Sequence, residues 1–314
     1  MYLEIMDIQK FARKILPLYG FDPSYPLLLL QEGVDNDMYV FTMANGSKGV
    51  LRLSKRNITE TVDFEATLLN FLFEHRAPVP EILMTTKRNL WVVINGVTTV
   101  AFRFISGTTI AVEHDTKPDI RYACAAGEAL ARLHVAGLSF TYENHKRRTI
   151  FTEYERALLR RDSIVKLDGG SEFLTIIESY LKWARQYQGD MGIIHNDFIP
   201  SNILFDKFSV SAVVDFDWSC KGPLIKDLGI ALAEWSLPDG LEHHWEEIFM
   251  SFLEGYNKSA PQKISPDKNL YQWICFSCLS DACTFFADLP TDSRITRATQ
   301  CRRYRKFIYF EKYL

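Results

Sequence analysis

The sequence predicts an α+β protein: a small antiparallel five-stranded lobe with one helix, followed by a larger, mainly helical lobe. Three observations carry this expectation. Residues 26–104 break into short β-branched and aromatic runs separated by turn signals. One stretch among them has helical spacing instead, and beyond Gly107 most of the chain does.

Strands are expected at 27–30, 38–43, 49–53, 90–94 and 98–105. Ala44-Asn45-Gly46 separates the second from the third, and Asn95-Gly96, a strong hairpin marker, separates the last two. A helix at 61–75 sets Phe64, Leu68, Leu69 and Leu72 on one stripe and stops before Pro78. Another at 121–135 aligns Ala125, Ala129, Leu130 and Leu133, with His134 as a packing residue and Gly137 as the expected C′ residue. Further helices fit 151–162, 171–187, 226–236, 241–256, 267–288 and 294–312. Residues 192–217 are the exception, a loop interrupted by apolar runs at 203–205 and 212–214. With no repeat or low-complexity linker, the chain divides into 1–105 and 106–314.

The 314 residues suffice for a sizeable core, and 47% hydrophobic with 24% charged residues is the balance of a soluble globular protein. A net charge of -3 lacks the basic excess of a nucleic-acid binder. The one basic cluster, Arg302, Arg303, Arg305 and Lys306, alternates with aromatic residues and reads as the solvated face of a terminal helix. No apolar run approaches the ~20 residues of a membrane helix, and Glu4 and Asp7 do not suit a signal peptide. Of six cysteines, Cys275 and Cys278 make a lone C-x-x-C without the second pair a zinc site needs. A reducing cytoplasm is the expectation.

Chemistry concentrates in I-I-H-N-D-F-I-P-S-N-I-L-F, residues 193–205, where His195, Asp197 and Asn202 interrupt apolar runs. About ten residues on, V-V-D-F-D-W carries Asp215 and Asp217. Asp and Asn also favour turns, so mutual capping is the plain alternative. Phosphoryl transfer, however, needs this kind of set: a carboxylate such as Asp197 to take the hydroxyl proton, and oxygen donors such as Asn202 and Asp215 for Mg²⁺. His195 reads as a loop support rather than a titrating group.

The pattern H-N-D-F-I-P-S-N followed by V-D-F-D-W-S-C-K-G-P-L-I-K-D-L resembles the aminoglycoside phosphotransferase superfamily of protein-kinase-like enzymes, which includes choline kinases and type II homoserine kinases. The resemblance covers roughly residues 28–236 and implies a bilobal kinase-like fold using ATP and Mg²⁺. It makes Asp197 the catalytic base, Asn202 and Asp215 the Mg²⁺ ligands, and Asp227 a structural tie between helix start and catalytic loop. In the first lobe, L-Q-E-G-V-D-N-D-M-Y-V-F resembles the phosphate loop, with Gly33 and Asn36 at its bend. G-V-L-R-L puts Arg52 where protein kinases have Lys, a planar fork in place of a point charge, and Glu65 sits where the family's helix carboxylate orients that cation. F-R-F-I-S-G resembles the hinge whose backbone, at Arg103 and Ile105, holds the adenine. The resemblance thus makes 1–105 the nucleotide-binding lobe and 106–314 the lobe of the catalytic loop and acceptor site.

Only eleven residues lie between Asp215 and Asp227, and no A-P-E follows, which leaves no room for a peptide platform. A small-molecule hydroxyl acceptor follows. Members of the family phosphorylate amino sugars, amino alcohols and hydroxy amino acids, groups bound by carboxylates and aromatic faces. Trp218, Glu234, Trp235, Asp239, Glu242, Trp245, Trp273, Asp281 and Asp288 are the candidates. L-A-R-L-H-V-A-G and D-L-G-I-A-L-A-E-W look closer to the homoserine kinase branch. Asp217 is open between a metal ligand and a solvated carboxylate. Two alternatives remain at this point: a nucleotide-binding pseudokinase without turnover, and a metal-dependent hydrolase using His195, Asp197 and Asp215, for which further His ligands are missing.

Overall fold

A computed structural model describes residues 8–32, 36–54, 59–113, 115–143, 148–290 and 293–314. The chain forms two compact units, one running through Gly107 and including Ser211–Asp217, the other Thr108–Val210 with Trp218–Leu314. The stretch 211–217 thus returns to the first unit, which the division at 105/106 does not provide for.

The first unit holds α1 (Ile8–Ile15), β1 (Leu28–Glu32), β2 (Asn36–Thr42), β3 (Lys48–Ser54), α2 (Thr59–Glu74), β4 (Val92–Ile94) and β5 (Val97–Arg103). The strands make one antiparallel sheet in the order β1-β2-β3-β5-β4. Asn95 and Gly96 turn the β4–β5 hairpin with φ of 51° and 78°, the geometry their residue types were expected to supply. In central β3, Leu51 and Leu53 join a cluster with Phe11, Ile15, Leu16 and Phe41. Strand alternation sends Val50 and Arg52 to the opposite face. Helix α1 was not expected. Its signal is the pairing of Phe11 and Ala12 with Ile15 and Leu16, four residues on, hidden by intervening Lys and Arg.

The second unit contains α3 (Ile120–Gly137), α4 (Thr152–Leu159), α5 (Arg161–Ile164), α6 (Gly170–Ala184), α7 (Leu224–Ser236), α8 (Glu246–Ser259), α9 (Lys268–Ala287) and α10 (Arg302–Phe310). Short strands β6 (Met191–Ile194), β7 (Ile203–Asp206), β8 (Ser209–Val213) and β9 (Cys220–Pro223) fall between α6 and α7; β8 runs across the unit boundary. Helix α3 packs on α8, and α9 is packed against α4, α7 and α10. The α3–α8 crossing depends on two glycines. A Cβ at Gly127 would lie 2.1 Å from the Phe252 carbonyl oxygen, and one at Gly255 would lie 1.9 Å from that of Cys124. Gly255→Ala is therefore expected to lower stability by about 3 kcal/mol in urea unfolding, since backbone cannot yield as a side-chain tip can. Gly137 is not the left-handed cap expected of it. It remains helical, and a Cβ there would press on Ile193 at 3.1 Å, so its role is close packing against β6.

Among the described residues no helix is long and apolar enough to cross a membrane. All six cysteines are free thiols, and Cys275, Cys278 and Cys283 are buried on α9 as apolar residues.

Candidate active site

In the second unit the stretch 193–205 leaves β6, makes a 3₁₀ turn at Pro200–Asn202 and enters β7. Phe198 and Ile203 are fully buried and anchor the polar residues between them. Asp197 is half-buried. The Asn202 side-chain amide donates both to the Asp197 carbonyl and to its carboxylate Oδ2, each at 3.0 Å. Asn202 therefore fixes the rotamer of Asp197 and uses its nitrogen to do so. The Asp197 amide donates to His195 Nδ1 at 3.3 Å, so that ring nitrogen is an acceptor and His195 braces the loop. His195 is only 3% exposed.

Strand β9 pairs with β6 and leads directly into α7, whose first turn carries Asp227. This fully buried carboxylate accepts from the backbone N–H of His195 and of Asn196, both at 2.7 Å, and from His134 Nε2 at 3.1 Å. Burial works against its charge, but His134, His195 and Lys226 outweigh burial and hold the carboxyl below its ordinary value. His134, expected as a packing residue, is also a partner of Asp227, with Tyr256 on its other nitrogen at 2.9 Å. Asn196 and Lys226 were missed. Asn196 sits at φ 68°, a conformation Asn tolerates better than most residues. Its amide donates to the Trp218 carbonyl, and its oxygen accepts from Lys226, which is 1% exposed.

In the first unit Arg52 lies in β3 and Glu65 in α2, both buried, joined by two parallel hydrogen bonds. Burial opposes the Arg52 charge, but Glu65, Asp217 and Asp215 keep it protonated above the ordinary arginine value. Asp217, left open by the sequence, accepts from Asn36 Nδ2 at 3.1 Å and lies 3.6 Å from Arg52 Nη1. Asp215 follows β8 with φ 67°, a left-handed conformation that Asp, like Asn, adopts more readily than most residues. Arg103 pairs its side chain with Glu81 on an exposed surface, and Ile105 is half-buried just past β5. Gly33 lies outside the described residues.

Beside Asp197, within the second unit, is a cavity of about 530 Å³ lined by Asn196, Trp218, Asp281, Phe285, Arg302 and Arg303 among others. Of the nine acceptor candidates, Trp218 and Asp281 line it. Trp235 and Trp273 are fully buried in the core instead. Of the basic cluster only Arg305 is an exposed residue; the other three turn to a buried carboxylate. Glu234 on α7, with 8% of its side chain exposed, receives Arg302 at 3.1 Å, Arg303 at 2.6 Å and Lys306 at 2.6 Å. Those cations outweigh the burial of Glu234 and hold its carboxyl below the ordinary value. A signal for this existed. Arg303 and Lys306 stand four residues before the core residues Phe307 and Phe310, hence on the inward stripe, and every residue of α7 is buried, so its one glutamate needs cations.

The phosphotransferase enzyme family matches residues 27–262, three quarters of the chain and both sets of polar residues. The chain belongs to that family. A homoserine kinase of Rhodopseudomonas palustris is 26% identical to this phosphotransferase over 244 residues, covering 77% of this chain and 72% of the relative. Among solved structures, an amicoumacin kinase in complex with AMP-PNP, Ca²⁺ and its amicoumacin ligand superposes with a TM-score of 0.75, at 16% identity over 98% and 94% of the two chains. A microcompartment-associated aminopropanol kinase gives 0.61 at 17% identity over 96% and 94%. At such identities the structural likeness establishes the fold, that of the protein-kinase-like phosphotransferases.

Proposed function

We propose that this phosphotransferase moves the γ-phosphoryl group of ATP to a hydroxyl of a small, amine-bearing molecule with the help of Mg²⁺. The observation that carries the reading is the cavity at Asp197, whose carboxylate is oriented by Asn202 on a loop tied down by Asp227. Asp197 accepts the proton of the acceptor hydroxyl as the oxygen attacks phosphorus, and Asp281 and Trp218 offer a carboxylate and an aromatic face to the amine. Asn202 and Asp215 suit Mg²⁺ as a donor set, because the Asn202 nitrogen is committed to Asp197 and its oxygen end is the one a hard ion takes. When bound, Mg²⁺ neutralises charge on the β- and γ-phosphates. Arg52, aimed by Glu65, adds a fixed cation for those phosphates. Gly33 and, at the first position of β2, Asn36 serve the phosphates, and the backbone at Arg103 and Ile105 serves the adenine, so that 1–105 is the nucleotide lobe and 106–314 the acceptor lobe. The free thiols agree with a reducing cytoplasm.

An enzyme-coupled assay of ADP release tests this. With ATP, Mg²⁺ and a panel of amino sugars, amino alcohols and hydroxy amino acids, release is expected to rise above background only with the right acceptor and to stop on chelation. ATP binding without acceptor-dependent release across the panel would favour the pseudokinase instead.

A further inference from the structure

Glu234 gathers three cations, and two of them, Arg302 and Arg303, also line the cavity at Asp197. Arg303 donates from Nη1 alone, to Glu234 at 2.6 Å and Asp281 at 2.7 Å. Among the described residues its Nε and Nη2 have no hydrogen-bond partner. One guanidinium nitrogen therefore anchors the side chain, while the other two nitrogens of the planar fork, Nε and Nη2, remain. Lys306, 4% exposed, donates to the same Glu234 oxygen at 2.6 Å, so neutralising Glu234 does not depend on Arg303.

The charged lining is thus of both signs: Asp197 and Asp281 against Arg302 and Arg303. An acceptor carrying only an ammonium would lie against two guanidiniums, and one carrying only a carboxylate would lie against two carboxylates. Like charges select against both. A ligand with both groups meets an opposite partner at each end, and Trp218 and Phe285 offer apolar faces to the methylenes between.

We infer that the cavity takes a zwitterionic hydroxy amino acid, its carboxylate received by the Arg303 fork with Arg302 beside it and its ammonium by Asp281. Bidentate pairing of a guanidinium with a carboxylate gives direction as well as attraction, so the same contact orients the hydroxyl toward Asp197. Glu234 is then a positioning residue, acting through Arg303. The inference rests on the phosphotransfer reading for what happens at the hydroxyl, but the subsite itself is tested separately.

The test uses hydroxy amino acids matched with their decarboxylated amines: L-serine with ethanolamine, L-homoserine with the aminopropanol bearing its groups at opposite ends, and hydroxylysine with its decarboxylated diamine. In the pair that is turned over, kcat/KM is expected to favour the amino acid by about 100-fold, the range for losing a buried charged partner. Arg303→Met should erase that preference by raising KM for the amino acid while moving the amine by less than about threefold, and Arg303→Lys should restore part of it. An amine used as well as its amino acid by the parent protein overturns the inference, whatever the variants do. Should nothing be turned over, calorimetry with AMP-PNP present decides between the two readings. Binding of an amino acid that Arg303→Met abolishes keeps the subsite and removes the kinase reading, whereas absence of amino-acid binding removes the subsite.

Discussion

Asp197→Asn is expected to lower kcat by about three orders of magnitude, within the range for losing a general base, with KM for ATP nearly unchanged. The substitution keeps the shape of the side chain and an oxygen able to accept from Asn202 Nδ2, so loop geometry persists while proton acceptance is lost. The melting temperature should therefore move by no more than about 2 °C. Steady-state ADP release and a thermal melt on one preparation suffice to check both. Turnover near the parent rate would remove Asp197 from the chemistry; turnover lost together with the fold would point to a structural role.

Removing the Asp227 carboxylate should have the largest effect on stability. Asp227→Ala leaves the backbone N–H groups of His195 and Asn196 and the ring of His134 without their buried acceptor. A loss of about 4 kcal/mol is expected, the cost of orphaned buried donors, read from the urea midpoint. Asp227→Asn should lose less, since one amide oxygen serves one of the two backbone donors. The same carboxylate predicts a pH dependence. Its folded value lies below the ordinary 3.8 of the unfolded chain, so its stabilising contribution is complete above that value. It is lost as pH falls through the folded value, below about pH 4. Urea midpoints should drop on acidification there, and Asp227→Ala should flatten the drop. An identical acid profile in the variant would contradict the assignment.

Most of the first unit is legible in the sequence because its strands follow local rules: β-branched runs, an Asn-Gly turn, and a helix with a clean apolar stripe. Helix α1 was overlooked although Phe11, Ala12 and Ile15 share one face with Arg13 and Lys14 on the other; at eight residues it is too short to stand without the core that those apolar residues join. Strand β9 escaped for a similar reason, since four residues including a Gly and a Pro form a strand only through pairing with β6. The polar loop around Asp197 was readable from the spacing of His195, Asp197 and Asn202 with Asp215 beyond, and Asp227 from the family resemblance. Its supports were read in part, His195 and Asp227 but not Lys226, and the cations beside the cavity were not placed. Lys226 on Asn196 and the gathering of Arg302, Arg303 and Lys306 at Glu234 join segments 30 and 72 residues apart at their extremes, contacts that no local period encodes. Arg302, Arg303 and Lys306, unlike the exposed Arg305, depart from the expected solvated face because an alternating charge–aromatic pattern looks the same whether its cations meet water or a buried glutamate.

Phosphorus NMR of the protein with ATP, Mg²⁺ and the acceptors above tests the central claim most directly. A phosphomonoester signal is expected to grow in step with ADP for one acceptor and to be absent with Asp197→Asn. ADP accompanied only by inorganic phosphate, or ATP unchanged with every acceptor, would contradict it.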